Sequence, residues 1–214
     1  MNGFSLVELM LSLSLGLALS GVMLQGLMAD GQNSGRFSRL LRERAAQRRT
    51  LELIKGDLAQ ATAISTTPEL EHHACGLAGR TPVLHLGTTG SPITYSVGAA
   101  PSAIWRGQVL MRCGPAFGLD GAITSGSQAL NRVVIDGLAA ETPGRKGCEA
   151  LLGASTNTVM DLSGPSVRGV VVCLQVSTGL TGLALEQSFV KANGPQRQHI
   201  TQSLVTQAPR LPQI

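Results

Sequence analysis

The pattern of apolar and polar positions divides the chain into three stretches. Residues 9–29 carry no charged side chain, and nine leucines fall between Leu6 and Leu27. A run without a polar face has no side to turn to water, so it predicts a helix made for lipid. As a helix it rises about 31 Å at ~1.5 Å per residue, matching a hydrocarbon core of ~30 Å. Ser12, Ser14 and Ser20 can return their hydroxyls to backbone carbonyls one turn back. Asp30-Gly31-Gln32-Asn33-Ser34-Gly35 then reads as turn-like or helix-weakening. A helical pattern resumes over about 36–63, either separate from the first helix or continuous with it. Leu40, Leu51, Ile54, Leu58 and Ala61 share one face, the last four at 3-4-3 spacing, and Thr66-Thr67-Pro68 ends the element.

After Pro68 the period shortens. Candidate strands are 83–86, 93–97, 104–112, 132–138, 167–176 and 182–190, separated by turn residues. The strongest is Val167-Arg168-Gly169-Val170-Val171-Val172-Cys173-Leu174-Gln175-Val176, joined to the last candidate through Ser177-Thr178-Gly179-Leu180-Thr181 as a hairpin. The tail from Asn193, with Pro195, Pro209 and Pro212, is expected to be loose. The predicted fold class is therefore α+β: a long N-terminal membrane-spanning helix whose second half packs on a mainly antiparallel β-sheet domain. The expected segments are 4–30 for the membrane helix, 31–64 for its amphipathic extension and 65–214 for the globular part.

Composition changes this picture in three places. The net charge is +4, with 17 Lys+Arg against 13 Asp+Glu, and the excess is local: Arg36, Arg39, Arg42, Arg44, Arg48 and Arg49 lie close together. Their readings are a solvated helix face, contacts between subunits, or a patch for lipid headgroups or nucleic acid. Aromatics are only 3%, which leaves bases little to stack on, so nucleic acid is an unsupported partner. Cys75, Cys113, Cys148 and Cys173 form no CxxC pair and are even in number, which suggests two disulfides in a domain held outside the cytoplasm. Four cysteines allow three pairings, and the sequence does not choose among them.

Candidate chemistry is sparse. His72-His73-x-Cys75 with His85 invites a zinc reading, but the spacing is irregular and Cys75 serves better in a disulfide. No metal and no cofactor is expected. Nor is there a Gly-x-Ser-x-Gly elbow, an HExxH helix or a glycine-rich phosphate loop, so no enzymatic activity is expected. Trp105 reads as a core or interface anchor. The anomaly is Glu8, one acid at the mouth of a lipid-soluble helix, where a carboxylate is costly and marks a functional position by default. Its plainest role is a helix-start carboxylate facing the positive end of the dipole. Gly16, Gly21 and Gly26 sit along the same helix, where small residues let neighbouring helices approach closely.

Gly3-Phe4-Ser5-Leu6-Val7-Glu8-Leu9, followed directly by the uncharged helix, resembles the processing and methylation motif of type IV pilins and pseudopilins. More loosely, the run from Arg39 through Leu51-Glu52-Leu53-Ile54-Lys55-Gly56-Asp57-Leu58-Ala59-Gln60-Ala61 looks like the PilW/PulJ-like minor pilins. Together these cover about the first 65 residues. The resemblance implies a pilin-like fold and a leader of residues 1–3, although Met1-Asn2-Gly3 lacks the basic residues usual there. It implies that a prepilin peptidase cuts after Gly3 and methylates the new amino terminus on Phe4, with Glu8 pairing with the terminal ammonium of a neighbouring subunit. It also implies, as partners, other pilins through the N-terminal helix, a pilus assembly platform and, before assembly, the bacterial inner membrane. The domain would be periplasmic and later part of a pilus at the cell surface. The arginines alone would argue for a cytoplasmic domain by the positive-inside rule; the cysteines and the motif favour the outside. The membrane half has no proline, which favours a minor subunit. The expected function is a structural minor pilin that helps initiate, cap or regulate pilus assembly. The alternatives are a minor pseudopilin of a type II secretion system and a single-pass anchored binding domain that does not polymerise. An ordinary cleaved signal is the weaker reading of the N-terminus: Ala18-Leu19-Ser20 offers a small-x-small site, but the basic leader is missing.

Overall fold

The structure, a computed structural model, describes residues 5–118, 121, 123–124, 126–140, 147–153, 158–190 and 197–207. Two compact units are present, residues 1–43 and 44–214. Helix α1 (Leu6–Gln60) contributes to both.

Within the first unit, Leu6–Met28 is a 23-residue stretch of mean hydropathy 1.9 with no buried residue, long and apolar enough to cross a membrane. The serines behave as their spacing predicts. Ser12 Oγ donates to the Leu9 carbonyl (2.9 Å), Ser14 Oγ to that of Leu11 (2.9 Å) and Ser20 Oγ to that of Gly16 (2.8 Å). No turn forms at Asp30-Gly31-Gln32-Asn33-Ser34-Gly35, where the backbone stays helical. Each glycine costs only about 1 kcal/mol relative to alanine. Extending a helix already formed on both sides avoids the larger cost of nucleating a new one.

The second unit contains the end of α1, a nine-stranded sheet and a short helix among its described residues. The strands are β1 (Ala63–Ile64), β2 (Thr81–Gly87), β3 (Ile93–Ala99), β4 (Gln108–Gly114), β5 (Leu130–Leu138), β6 (Val159–Asp161), β7 (Val170–Gln175), β8 (Leu180–Val190) and β9 (Arg197–Gln207); α2 is Cys148–Leu152. Neighbours run β1-β2-β3-β4-β5-β8-β7-β6, with β9 on β8, and every pair is antiparallel. The α+β expectation holds at this level. Leu51, Ile54 and Leu58 of α1, and Ala61 just past its end, form one buried core with Leu84, Leu86, Ile93, Val97, Leu110 and Leu185 of the sheet, so the 3-4-3 stripe does pack on it.

Several boundaries differ from the expected ones. The helix stops at Gln60 because its exit is captured by the sheet: Thr62 N–H donates to the Gly87 carbonyl (2.8 Å), and Ala63 and Ile64 then pair with β2. The fourth strand starts at Gln108, not at 104, since Gly107 takes a positive φ of 58° and Ile104 lies exposed in the preceding turn. The seventh starts at Val170 because Gly169 turns the chain at φ 75°. That glycine sits where β5 and β7 meet the same edge of β8, and a Cβ there would lie 2.8 Å from the Ala139 nitrogen. The expected hairpin is present, with Gln175 opposite Leu180.

The loose tail is the main correction. Residues 197–207 form β9, paired residue for residue with β8 from Val190–Arg197 to Leu180–Gln207. Its burial alternates, with Ile200, Gln202, Leu204 and Thr206 turned inward and the positions between them exposed. The correction covers 197–207; Asn193, Pro195, Pro209 and Pro212 lie outside the described residues.

Candidate functional site

Gly3 and Phe4, the expected processing residues, lie outside the described residues. Glu8 is in the first turn of α1, with its N–H donating to the Ser5 carbonyl (3.0 Å), and its side chain is exposed. Open space surrounds Gly16, Gly21 and Gly26: an added Cβ would meet nothing within 4 Å at any of them. Glu8 and the three glycines therefore lie along one exposed apolar helix, and among the described residues they converge on no pocket.

The cysteines pair as Cys75–Cys113 and Cys148–Cys173. The first ties the loop before β2 to β4, and the second ties α2 to β7. The bridges close 38- and 25-residue separations, so loop-closure entropy sets each at about 3–4 kcal/mol. Replacing either pair by serine is expected to cost about that much, read as a lowered unfolding midpoint; an unchanged midpoint would show that the unfolded chain gains no freedom from the cut.

His73 and His85 come together, but Cys75 is consumed by its disulfide. Both imidazoles face one hydroxyl, Thr94 Oγ1, through Nδ1 at 3.2 and 2.8 Å, with ring centroids 5.3 Å apart. Among the described residues no group of three His, Cys, Asp or Glu is placed to hold a metal. Burial, and then the neighbouring His73, lower the pKa of His85 below its ordinary 6.5, while Glu71 pulls it the other way. The unfolded chain thus takes up this proton before the folded one does. Stability from this group is constant above about pH 6.5 and falls as the pH drops below it. Unfolding midpoints at pH 7.5 and 5.5 should show the loss, and His85→Gln should reduce it; an equal loss in that variant would assign the effect elsewhere.

A constellation not anticipated from the sequence lies between α1 and the sheet. Asp57 is fully buried beside Tyr95 and Arg112, which are 1% and 4% exposed. Arg112 grips the carboxylate in a two-pronged bond, Nε to Oδ2 at 2.7 Å and Nη2 to Oδ1 at 3.0 Å. Tyr95 Oη donates to Oδ2 at 2.5 Å, and Arg112 Nη1 donates to the Pro115 carbonyl at 2.8 Å. The Phe117 ring lies 4.6 Å from the guanidinium carbon. Burial first, and then Asp57, hold the Tyr95 hydroxyl well above its ordinary pKa of 10.0. Burial opposes the charge on Arg112, but the bonds to Asp57 outweigh it and raise its pKa. The carboxylate is spent on internal partners, so the cluster acts as a polar tie between helix and sheet. Its signal was available: position 57 is three past Ile54 and four before Ala61, on the buried stripe itself.

Two further side chains of α1 reach the sheet. Gln47 Nε2 donates to the Ile200 carbonyl of β9 (3.0 Å), and Thr50 Oγ1 donates to the Val134 carbonyl of β5 (3.5 Å). Positions 47, 50, 51, 54, 57, 58 and 61 thus form one face that alternates between core contacts and specific polar ties. Trp105 is half-buried in the turn before β4. Comparison with protein-family models, with curated proteins and with solved structures finds no match for the chain.

Proposed function

We propose that this chain is a minor subunit of a type IV pilus, a structural protein that helps initiate, cap or regulate the filament. The observation that carries the reading is Glu8, the one acid at the mouth of an otherwise uncharged 23-residue apolar stretch, directly behind Gly3-Phe4. In lipid the segment is a temporary anchor. In a filament its exposed apolar surface packs against neighbouring helices, and the Glu8 carboxylate compensates a partner's amino terminus. The two disulfides favour a domain outside the reducing cytoplasm. A prepilin peptidase, the other pilins and the assembly platform are the partners this reading requires.

Mass spectrometry of the mature amino terminus, on protein recovered from the membrane of cells carrying a prepilin peptidase, tests the proposal. A chain beginning at N-methylated Phe4 is the expected result. An intact Met1, or a cut near Ser20, would replace the reading with that of an anchored domain or an ordinary secreted one. A pseudopilus of a secretion system rests on the same chemistry, and recovery of the subunit from sheared surface pili separates the two.

A further inference from the structure

Four residues stand in one row across the sheet. His85 of β2 lies opposite Thr94 of β3, Thr94 opposite Cys113 of β4, and Cys113 opposite Asn131 of β5. Directly paired residues share a face, and their chain neighbours Leu86, Ile93 and Tyr95 fill the core, so the row lies on the other face of the sheet. The row holds the segment that joins β1 to β2. His85 and Thr94 meet His73, Cys113 bonds Cys75, and Asn131 Nδ2 donates to the Gly76 carbonyl at 3.1 Å. Upstream, Pro68 is buried. Between Pro68 and Cys75, the His73–Thr94 contact is the one hydrogen bond that ties residues 69–74 to the sheet among the described residues. Glu71 bonds Ser65 of its own segment at 2.8 Å, and Leu70 N–H donates to the Thr67 carbonyl.

That one tie depends on where the protons sit. Thr94 is fully buried, and its hydroxyl, with a single hydrogen, has an imidazole Nδ1 on either side. It donates to one ring and accepts from the other. His73 Nε2 is also buried, with no hydrogen-bond partner among the described residues. The better-satisfied assignment therefore keeps the His73 proton on Nδ1, where the hydroxyl accepts it, and sends the hydroxyl proton to His85 Nδ1. A further proton has no place in this chain. On His73 it would fall on the buried Nε2, and on His85 it would displace the hydroxyl from Nδ1. Two charged rings would stand with centroids 5.3 Å apart. The charged groups acting on His85 are His73 and, favouring the proton, Glu71. Glu69 and His72 are exposed, Arg80 lies against Gly98, and β1 carries no titratable residue. Tyr95 and Arg112 turn to Asp57 on the core face, and Cys113 is held in its disulfide.

We propose that residues 69–74 form an acid-released strap. With both imidazoles neutral, the His73–Thr94–His85 chain holds the strap on the sheet. Proton uptake breaks the chain, His73 swings to water, and the segment pivots between Pro68 and the Cys75–Cys113 bridge, which keeps its far end in place. Opening removes burial and the His73 ring from the side of His85, so the open form binds a proton more readily and gains population as the pH falls below about 6.5. The strap lies in the 44–214 unit and stands apart from the pilin reading.

The test uses the full chain in zwitterionic detergent micelles, with backbone amide order parameters measured by NMR at pH 7.5 and 5.5. Residues 69–74 are expected to fall reversibly from about 0.85 to below about 0.6, while β2 and β3 stay rigid. His73→Gln has no ring to protonate, so its values should match at the two pH values. Thr94→Val keeps the shape of the side chain and removes the hydroxyl, so its strap should be loose at both. Unchanged order parameters in the wild type overturn the strap, and so does a loss of rigidity throughout β2 and β3. An equal fall in His73→Gln overturns the role of the histidine, and a Thr94→Val strap as rigid as the wild type at pH 7.5 overturns that of the hydroxyl.

Discussion

Asp57→Ala is expected to destabilise the 44–214 unit by about 3–5 kcal/mol, the usual cost of removing one partner from a buried ion pair. The carboxylate accepts from Tyr95 Oη and from both prongs of Arg112, and none of the three residues is more than 4% exposed. Without it, the guanidinium remains inside with only the Pro115 carbonyl and the Phe117 ring beside it. Leu58, one residue on, is also fully buried. Its truncation to alanine costs about 2–5 kcal/mol through lost transfer energy and a cavity. The two losses are similar in size but differ in origin, and a second variant tells them apart. Asp57→Leu combined with Arg112→Met and Tyr95→Phe removes the charges together, so it should recover most of the stability that Asp57→Ala loses. Thermal unfolding followed by the fluorescence of Trp105 measures both. A change of less than about 0.5 kcal/mol for Asp57→Ala, within the range of ordinary surface substitutions, would mean that water reaches the cluster. A triple variant no better than the single one would mean that the polar geometry itself holds the helix on the sheet.

What could be read from the sequence follows what each segment buries. The strands at 81–87, 93–99 and 170–175 are buried over most of their length and rich in β-branched or apolar residues, and they were legible to within a few residues. β9 was not, because only Ile200 and Leu204 among its inward positions are apolar while Gln202 and Thr206 alternate with them. Its stability comes from eleven paired positions with β8, which is tertiary information. The helix pattern was legible at Leu51, Ile54, Leu58 and Ala61, yet the polar residues on that same face, Gln47, Thr50 and Asp57, read as interruptions. Each has its partner in a distant strand, Ile200, Val134 or Arg112, which no local window contains. The number of disulfides was legible from an even cysteine count, whereas their connectivity depends on which loops the sheet brings together. The candidate at the N-terminus stood out for the opposite reason: Glu8 interrupts an otherwise uniform apolar pattern, and the pairing role drawn from it belongs to the proposal.

Glu8→Gln is expected to leave cleavage after Gly3 intact and to lower recovery of the subunit in filaments by more than tenfold. The substitution keeps the shape and the hydrogen-bonding reach of the side chain and removes its charge. In the proposed assembly, a neighbour's terminal ammonium lies against this position among apolar helices. An amine left without its counter-ion there costs about 3–5 kcal/mol, and each ~1.4 kcal/mol is a factor of ten in an equilibrium. The competing role is a carboxylate in the first turn of α1, stabilising the positive end of the helix dipole. That interaction is worth only about 0.3–1 kcal/mol at an exposed position, so losing it changes recovery by less than about fivefold. Glu8 is exposed, with no side-chain partner among the described residues, so the single chain favours neither role and the size of the effect decides. The measurement is the ratio of subunit in sheared filaments to subunit in the membrane fraction, with the mature N-terminus checked by mass in both. Processed Glu8→Gln subunit held in the membrane supports pairing between subunits. A ratio within fivefold of the wild type assigns Glu8 to its own helix.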